Sequence, residues 1–199
     1  EHGFNEHQVV IGNEALPSLL KEVKTPKLVG MEALRIALER SRSAEEAVDV
    51  IIHLVSEFGQ GKFANDDGVR TYDNIYLIAD PASAYVVECV GHDWAVSKVH
   101  DFRSISNVSQ IRNDADKVSS GAEAHAVRER LFDSALGEEF SFAKVFGDPN
   151  NSVSGTKRQC RSESLLSRRE GKLDVRSMMQ ILSDHSDGEN PEEPPISDI

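Results

Sequence analysis

The sequence predicts an α+β domain. After an opening strand come two helix-period segments joined by a short polar link, a block of short strand-period segments follows, and helical spacing returns in the last third. Segregation of the two periods, rather than strict alternation, points to an antiparallel sheet with helices packed on its faces.

The elements follow in order. In FNEHQVVIGNEA, residues 4–15, Asn-Glu pairs at 5–6 and 13–14 bracket the apolar run Val9-Val10-Ile11, which reads as turn, strand, turn. Pro17 and Lys24-Thr25-Pro26 mark a loop. In GMEALRIALER, Met31, Leu34, Ile36, Ala37 and Leu38 fall on one helical side, and the stretch 41–43 breaks the helix. Ser43-Ala-Glu-Glu46 is a capping box. Behind it Ala47, Val48, Val50, Ile51, Leu54, Val55 and Phe58 form the apolar face of a second helix, and Gly59 stands where a left-handed terminating residue is wanted. Residues 59–73 have the Gly, Asn and Asp content of a surface connection. Residues 75–79, 84–90 and 94–99 are β-branched and aromatic, separated by Asp80-Pro81-Ala82-Ser83 and Gly91-His92-Asp93; they predict a three-stranded meander. A fourth strand is expected at 102–106, and helices at 122–136, 163–168 and 174–183, the last with Val175, Met178, Met179, Ile181 and Leu182 as its apolar set. One domain is expected over 1–188, and an acidic, Pro-rich, flexible tail over 189–199.

Composition excludes several functions. A net charge of −12 disfavours nucleic acid and anionic membrane as partners, since both require a surplus of Lys and Arg. No apolar run approaches the roughly eighteen residues that a membrane helix needs, so no membrane insertion is expected. The opening residues do not read as a signal peptide, and the triplets beginning at Asn107 and Asn150 are expected to be chance sequons. Cys89 and Cys160 are the only cysteines and make no CxxC, which fits a reducing, cytoplasmic setting. His2 and His7 lack a third partner at ligand spacing, so no metal and no cofactor is expected.

Several stretches together resemble the secernin family, relatives of the C69 dipeptidases among the N-terminal-nucleophile hydrolases. NEHQVVIGNEA is similar to the family's Asn-Glu-x-Gly-Val-x-Ile-Gly-Asn-Glu-Ala, and VGMEALRIALERSRSAEEAVDVI resembles its helix pair. FGQGK resembles its Tyr-Gln-Gly or Tyr-Gly-Gln-Gly turn, YDNIYLIADPASAYVVECVGHDWAV its meander, and SISNVSQI its Ile-Ser-Asn-x-Leu-Ser-Ile. REGKLDVRSMMQILSDHSDG is a weaker match to its C-terminal helix. The resemblance implies an αββα sandwich of two antiparallel sheets, present in part. It implies hydrolysis of small peptide or amide bonds by an N-terminal cysteine, whose own α-amine, with a pKa of about 7.7–8.0, acts as base. Donor side chains then hold the oxyanion.

The chain departs from that pattern. In such relatives the nucleophile lies on a strand upstream of the Asn-Glu-x-Gly-Val segment, whereas here the first residue is Glu1. The expectation is a fragment or truncated product without its nucleophile, inactive as it stands, with unpaired sheet edges that a protein partner covers. Gln8 stands where the family has Gly. A non-enzymatic scaffold or interaction module on the same fold, in secretion-related regulation or a larger assembly, is the other expectation.

The resemblance also implies site residues. One of Asn13 and Asn5 matches the asparagine that lends its amide to the oxyanion hole, Asn13 preferred, although Asn also favours turns. Glu14 suits a substrate amine or a solvated turn. Asn107 matches a second, substrate-positioning asparagine or caps a strand. Arg158 matches the arginine beside the nucleophile or is a surface residue. Cys89, in YVVECV, alternates with Glu88 across the strand and reads as a buried, inert thiol.

Overall fold

The computed structural model of the chain describes residues 1–20, 28–65 and 68–184. The Lys24-Thr25-Pro26 loop and the 189–199 tail lie outside them. The architecture is α+β. Strands β1 (His2–Phe4), β2 (Val10–Leu16), β5 (Asp73–Ala79), β6 (Ala84–Val90), β7 (Asp93–Lys98) and β8 (Lys117–Val118) form one antiparallel sheet in the order β1-β2-β5-β6-β7-β8. A separate hairpin pairs β3 (Lys62–Asn65) with β4 (Gly68–Thr71). The expected connection over 59–73 is thus corrected: residues 62–65 and 68–71 within it pair as two antiparallel strands.

Helices α1 (Gly30–Arg40) and α2 (Ala44–Phe58) cover one face of the sheet. Their spacing turns Ala33, Leu34, Ala37, Val48, Ile51 and Val55 onto Ile11, Tyr76, Ile78, Val87 and Cys89 of the strands. The ends follow the predicted chemistry with one variation. The Ser43 hydroxyl accepts from the Glu46 N–H at 3.2 Å, but the Glu46 carboxylate reaches past Ser43 to the Arg42 N–H at 2.7 Å. Gly59 ends α2 with φ +66°, where a Cβ would press on the His92 ring.

The opposite face is covered by α3 (Ala122–Arg128), α4 (Phe142–Phe146) and the segment carrying Ile105 and Ile111, packed on Leu16, Ile75, Val86 and Val90. A second sheet stacked on the first is not among the described residues. Residues 102–106 form no strand. The sheet ends instead on the two residues of β8, and the Gln110 and Ile111 N–H groups go to the Glu88 side chain. The helix expected over 122–136 stops at Arg128, because Arg130 turns to φ +61° and the chain resumes in a 3₁₀ turn at Ser134–Leu136. The helix expected at 163–168 is the end of a longer one, α5 (Val153–Ser167). Its successor α6 (Val175–Leu182) leaves Val175, Met179 and Leu182 largely exposed, at 79%, 65% and 83%. Both sheet edges are short strands of three and two residues, the length that leaves least ladder open to a second chain. No described helix is long and apolar enough to cross a membrane.

Asn5 and Asn13, expected alike at turns, part company. Asn5 makes the turn: its Oδ1 accepts from the His7 and Val9 N–H groups at 3.0 and 3.1 Å, and its Nδ2 donates to the Leu38 and Ser41 carbonyls, both at 2.8 Å. Asn13 and Glu14 lie inside β2, where seven-residue pairing with β5 overrides their poor strand preference.

Two outcomes follow. Gln8 holds φ +65° in the Asn5 turn. Gln8→Gly relieves left-handed strain of about 1 kcal/mol and should raise the melting temperature; an unchanged melt would show that the turn carries no strain. Asp80 accepts from the Ala44 N–H at 2.7 Å as well as from the turn N–H groups of Ala82 and Ser83, and the Ala44 bond foremost holds its carboxyl below the ordinary range. A depressed folded pKa means stability that is present above the unfolded value and lost as pH falls through the folded one. Asp80→Ala should therefore cost about 1 kcal/mol at neutral pH, a difference that shrinks in urea melts run below the carboxylate range.

Candidate functional site

Strand alternation sends neighbouring residues of β2 to opposite faces of the sheet. Asn13 goes to the α1/α2 face, where it is 6% exposed; its Nδ2 donates to Asn74 Oδ1 at 2.9 Å, and Asn74 Nδ2 donates to Gln60 Oε1 at 2.7 Å. Gly30 makes room for this chain of amides, since a Cβ there would lie 1.9 Å from Asn74 Oδ1. Asn13 Oδ1 and Gln60 Nε2, at its two ends, are buried without a hydrogen-bond partner among the described residues. The Asn13 amide N–H₂ is engaged inside the molecule, and it is not presented to a ligand on the other face.

Glu14 goes to the other face. There it borders a cavity of about 290 Å³ between β2, the 105–107 segment, α5 and α6. Ile105, Leu165 and Ile181 give this cavity an apolar wall; Glu14, Asn107, Arg158 and Ser162 give it polar corners. Asn107 Nδ2 donates to the Ala15 carbonyl at 2.8 Å, and Asn107 Oδ1 accepts from Arg158 Nη2 at 2.6 Å. Arg158 Nη1 donates to the Ser154 hydroxyl at 2.7 Å, one helical turn back on α5. One asparagine thereby ties the edge of β2 to α5.

The charges of the cavity are unevenly matched. Arg161 and Asp184 form a two-bond pair at 2.7 and 2.9 Å, and the Asp184 bonds raise the Arg161 pKa further above its ordinary value. Arg158 has no carboxylate partner among the described residues, and Glu14 has no hydrogen bond or ion pair among them. A guanidinium and a carboxylate, each with donors or acceptors to spare, therefore border one cleft with an apolar wall. Such a cleft suits a small molecule with a carboxylate at one end and an ammonium at the other.

Of the residues the sequence singles out, Glu14, Asn107 and Arg158 meet at the cavity, whereas Asn13 and Asn5 do not. Asn107 arrives on a loop, not at a strand end. Neither cysteine borders the cavity. Cys89 is fully buried under α1 and α2, and burial first, then the charges of Asp73 and Glu88, pushes its thiol well above the ordinary range. Cys160 is exposed on α5. Among the described residues no histidine lines the cavity to serve as a base for Ser106 or Ser162. Among the described residues no group of three or more His, Cys, Asp or Glu is placed to hold a metal ion.

Sequence reading missed Glu88, which is completely buried on β6. Its Oε1 accepts from the Gln110 and Ile111 N–H groups at 2.6 and 3.2 Å, and its Oε2 accepts from the Ser109 hydroxyl. Burial pushes its carboxyl up, and these bonds oppose the rise. An acid among Val86, Val87, Cys89 and Val90 was the available signal, because a strand buried on both faces tolerates a charge only where partners wait.

Gly155 lets α5 approach the Asn107 backbone: a Cβ at 155 would lie 2.5 Å from the Asn107 carbonyl oxygen. Gly155→Ala should cost about 1–3 kcal/mol in chemical denaturation and should shift the Asn107 side-chain amide resonances; full stability with unmoved resonances would refute the contact. A scan against protein-family models finds none that matches the chain.

Proposed function

We propose that this chain supplies the substrate-holding side of a secernin-like, C69-dipeptidase-type amide hydrolase site, with the cavity at Glu14, Asn107 and Arg158 receiving a small zwitterionic peptide. The opposite charges of Glu14 and Arg158 at that cavity, neither in an ion pair among the described residues, carry the reading. Arg158 takes the carboxylate, Glu14 takes the α-ammonium, and Asn107 sets the guanidinium in place. The collinear resemblance and the antiparallel sheet under a helical hairpin support it; the two-sheet αββα sandwich belongs to the same proposal.

The chemistry is limited to binding and orientation. Both thiols lie away from the cavity, and among the described residues no histidine borders it to activate its serines.

A second reading, a non-enzymatic interaction module, is favoured by the exposed apolar side of α6. On that reading dipeptides do not bind, and Met179→Glu, which leaves the cavity lining intact, alters association.

Titration of the chain with alanyl-alanine separates the two. Saturable binding is expected without hydrolysis. N-acetylation or C-terminal amidation of the dipeptide should each weaken binding by about tenfold, the worth of one charge-assisted bond. Glu14→Gln should remove the discrimination against the acetylated form, and Arg158→Met that against the amidated form. A flat titration, or equal binding of blocked and free dipeptides, would sink the proposal.

A further inference from the structure

We infer that Glu88 is the positioning residue for Asn107, acting on the cavity from beneath through the segment 103–111; the inference rests on the reading of the cavity given above. That segment crosses the sheet face opposite α1 and α2 without joining a strand ladder. Its backbone donors at 110 and 111 must therefore end on something else, and they end on one carboxylate oxygen. The Ser109 hydroxyl takes the other oxygen. Just before this grip the chain makes a tight turn, with the Val108 N–H on the Ser106 carbonyl at 2.7 Å, and Asn107 is its apex.

Asn107 has little room to move. Its amide reaches the Ala15 carbonyl and the Arg158 guanidinium at once, at 2.8 and 2.6 Å, and hydrogen bonds of this kind weaken beyond about 3.2 Å. A shift of Ser109 by a fraction of an ångström passes directly into that bridge. Gln110 Nε2 on the Ser104 carbonyl and Ser104 against Ser162 of α5 fasten the other arm of the segment. The charge of Arg103 offsets part of the buried negative charge. Reach, more than charge, is what the Glu88 side chain contributes: one oxygen spans two N–H groups.

The test compares Glu88→Gln, which keeps the reach, with Glu88→Asp, which shortens it by about 1.5 Å. Val86→Ala, a packing loss on the same face of β6, is the control. The readouts are the Asn107 side-chain amide cross-peaks of the full chain and the affinity for alanyl-alanine. Glu88→Asp should displace those cross-peaks and weaken the dipeptide by about tenfold. Glu88→Gln should leave both close to wild type, and Val86→Ala should lower stability without moving Asn107. Unmoved cross-peaks in Glu88→Asp, or an equal displacement in Val86→Ala, would overturn the inference. If wild type binds no dipeptide, the reading of the cavity fails, while the Asn107 cross-peaks still decide the role of Glu88. If Glu88→Asp does not fold, Ser109→Ala, which removes one of the three bonds, is expected to displace the same cross-peaks, and unmoved ones overturn the inference.

Discussion

Strands β2 and β5 pair without a break over seven residues, from Val10↔Ala79 to Leu16↔Asp73, and both faces of the molecule depend on that register. It puts Ile11 and Asn13 against the helical hairpin, and it puts Glu14 and Leu16 on the side of the cavity and of the second core. A slip of one residue would exchange the two sets, burying Glu14 under α1 and turning Ile11 away from it. Apolar anchors hold the register from both sides. Ile11 is fully enclosed on one face, as Leu16 is on the other, and Tyr76 and Ile75 of β5 face the same two cores.

The polar interior follows a common plan. At several places where the chain leaves the ladder, a carboxylate takes over the bonding. Asp73 accepts from the Gly91 N–H at 3.0 Å and from the Ser18 hydroxyl, closing the turn between β6 and β7. Asp93 receives the Ser119 hydroxyl at 2.9 Å and stands 2.6 Å from the His125 ring, fastening α3 to β7. Glu88 does the same for the segment beneath the cavity. A buried carboxylate is costly unless its oxygens are filled, and each of these has at least two partners. The regular sheet is thus small, and acids set on it at intervals hold the irregular half of the chain.

The regular half was legible in the sequence. The helical hairpin and the meander announce themselves because their own residues decide them: α2 has its apolar face, its Ser43 cap and Gly59, and the meander has β-branched runs cut by turn residues. The irregular half was not. Residues 102–106 look like a strand, but the carbonyls of Ser104 and Ser106 take the Gln110 side chain and the Val108 N–H of their own segment in place of a neighbouring strand. Residues 122–136 have helical spacing, yet a left-handed Arg130 ends the helix, and no local residue type foretells that turn. At the site, Asn107 and Arg158 were found through resemblance, and their 2.6 Å contact is a tertiary fact. Asn13 and Glu14 were treated as neighbours in a turn; strand alternation, which a longer β2 would have revealed, divides them between two faces. Glu88 was passed over because a lone acid in a strand carries no motif.

The contrast between the two thiols has a practical side. Cys160 meets solvent on α5, while Cys89 is sealed between the sheet and the helical hairpin. An alkylating reagent reaches the first at once and the second only after those layers part. The lag between the two adducts, followed by mass, is a clock for the opening of that core, and the chain carries it without any added label.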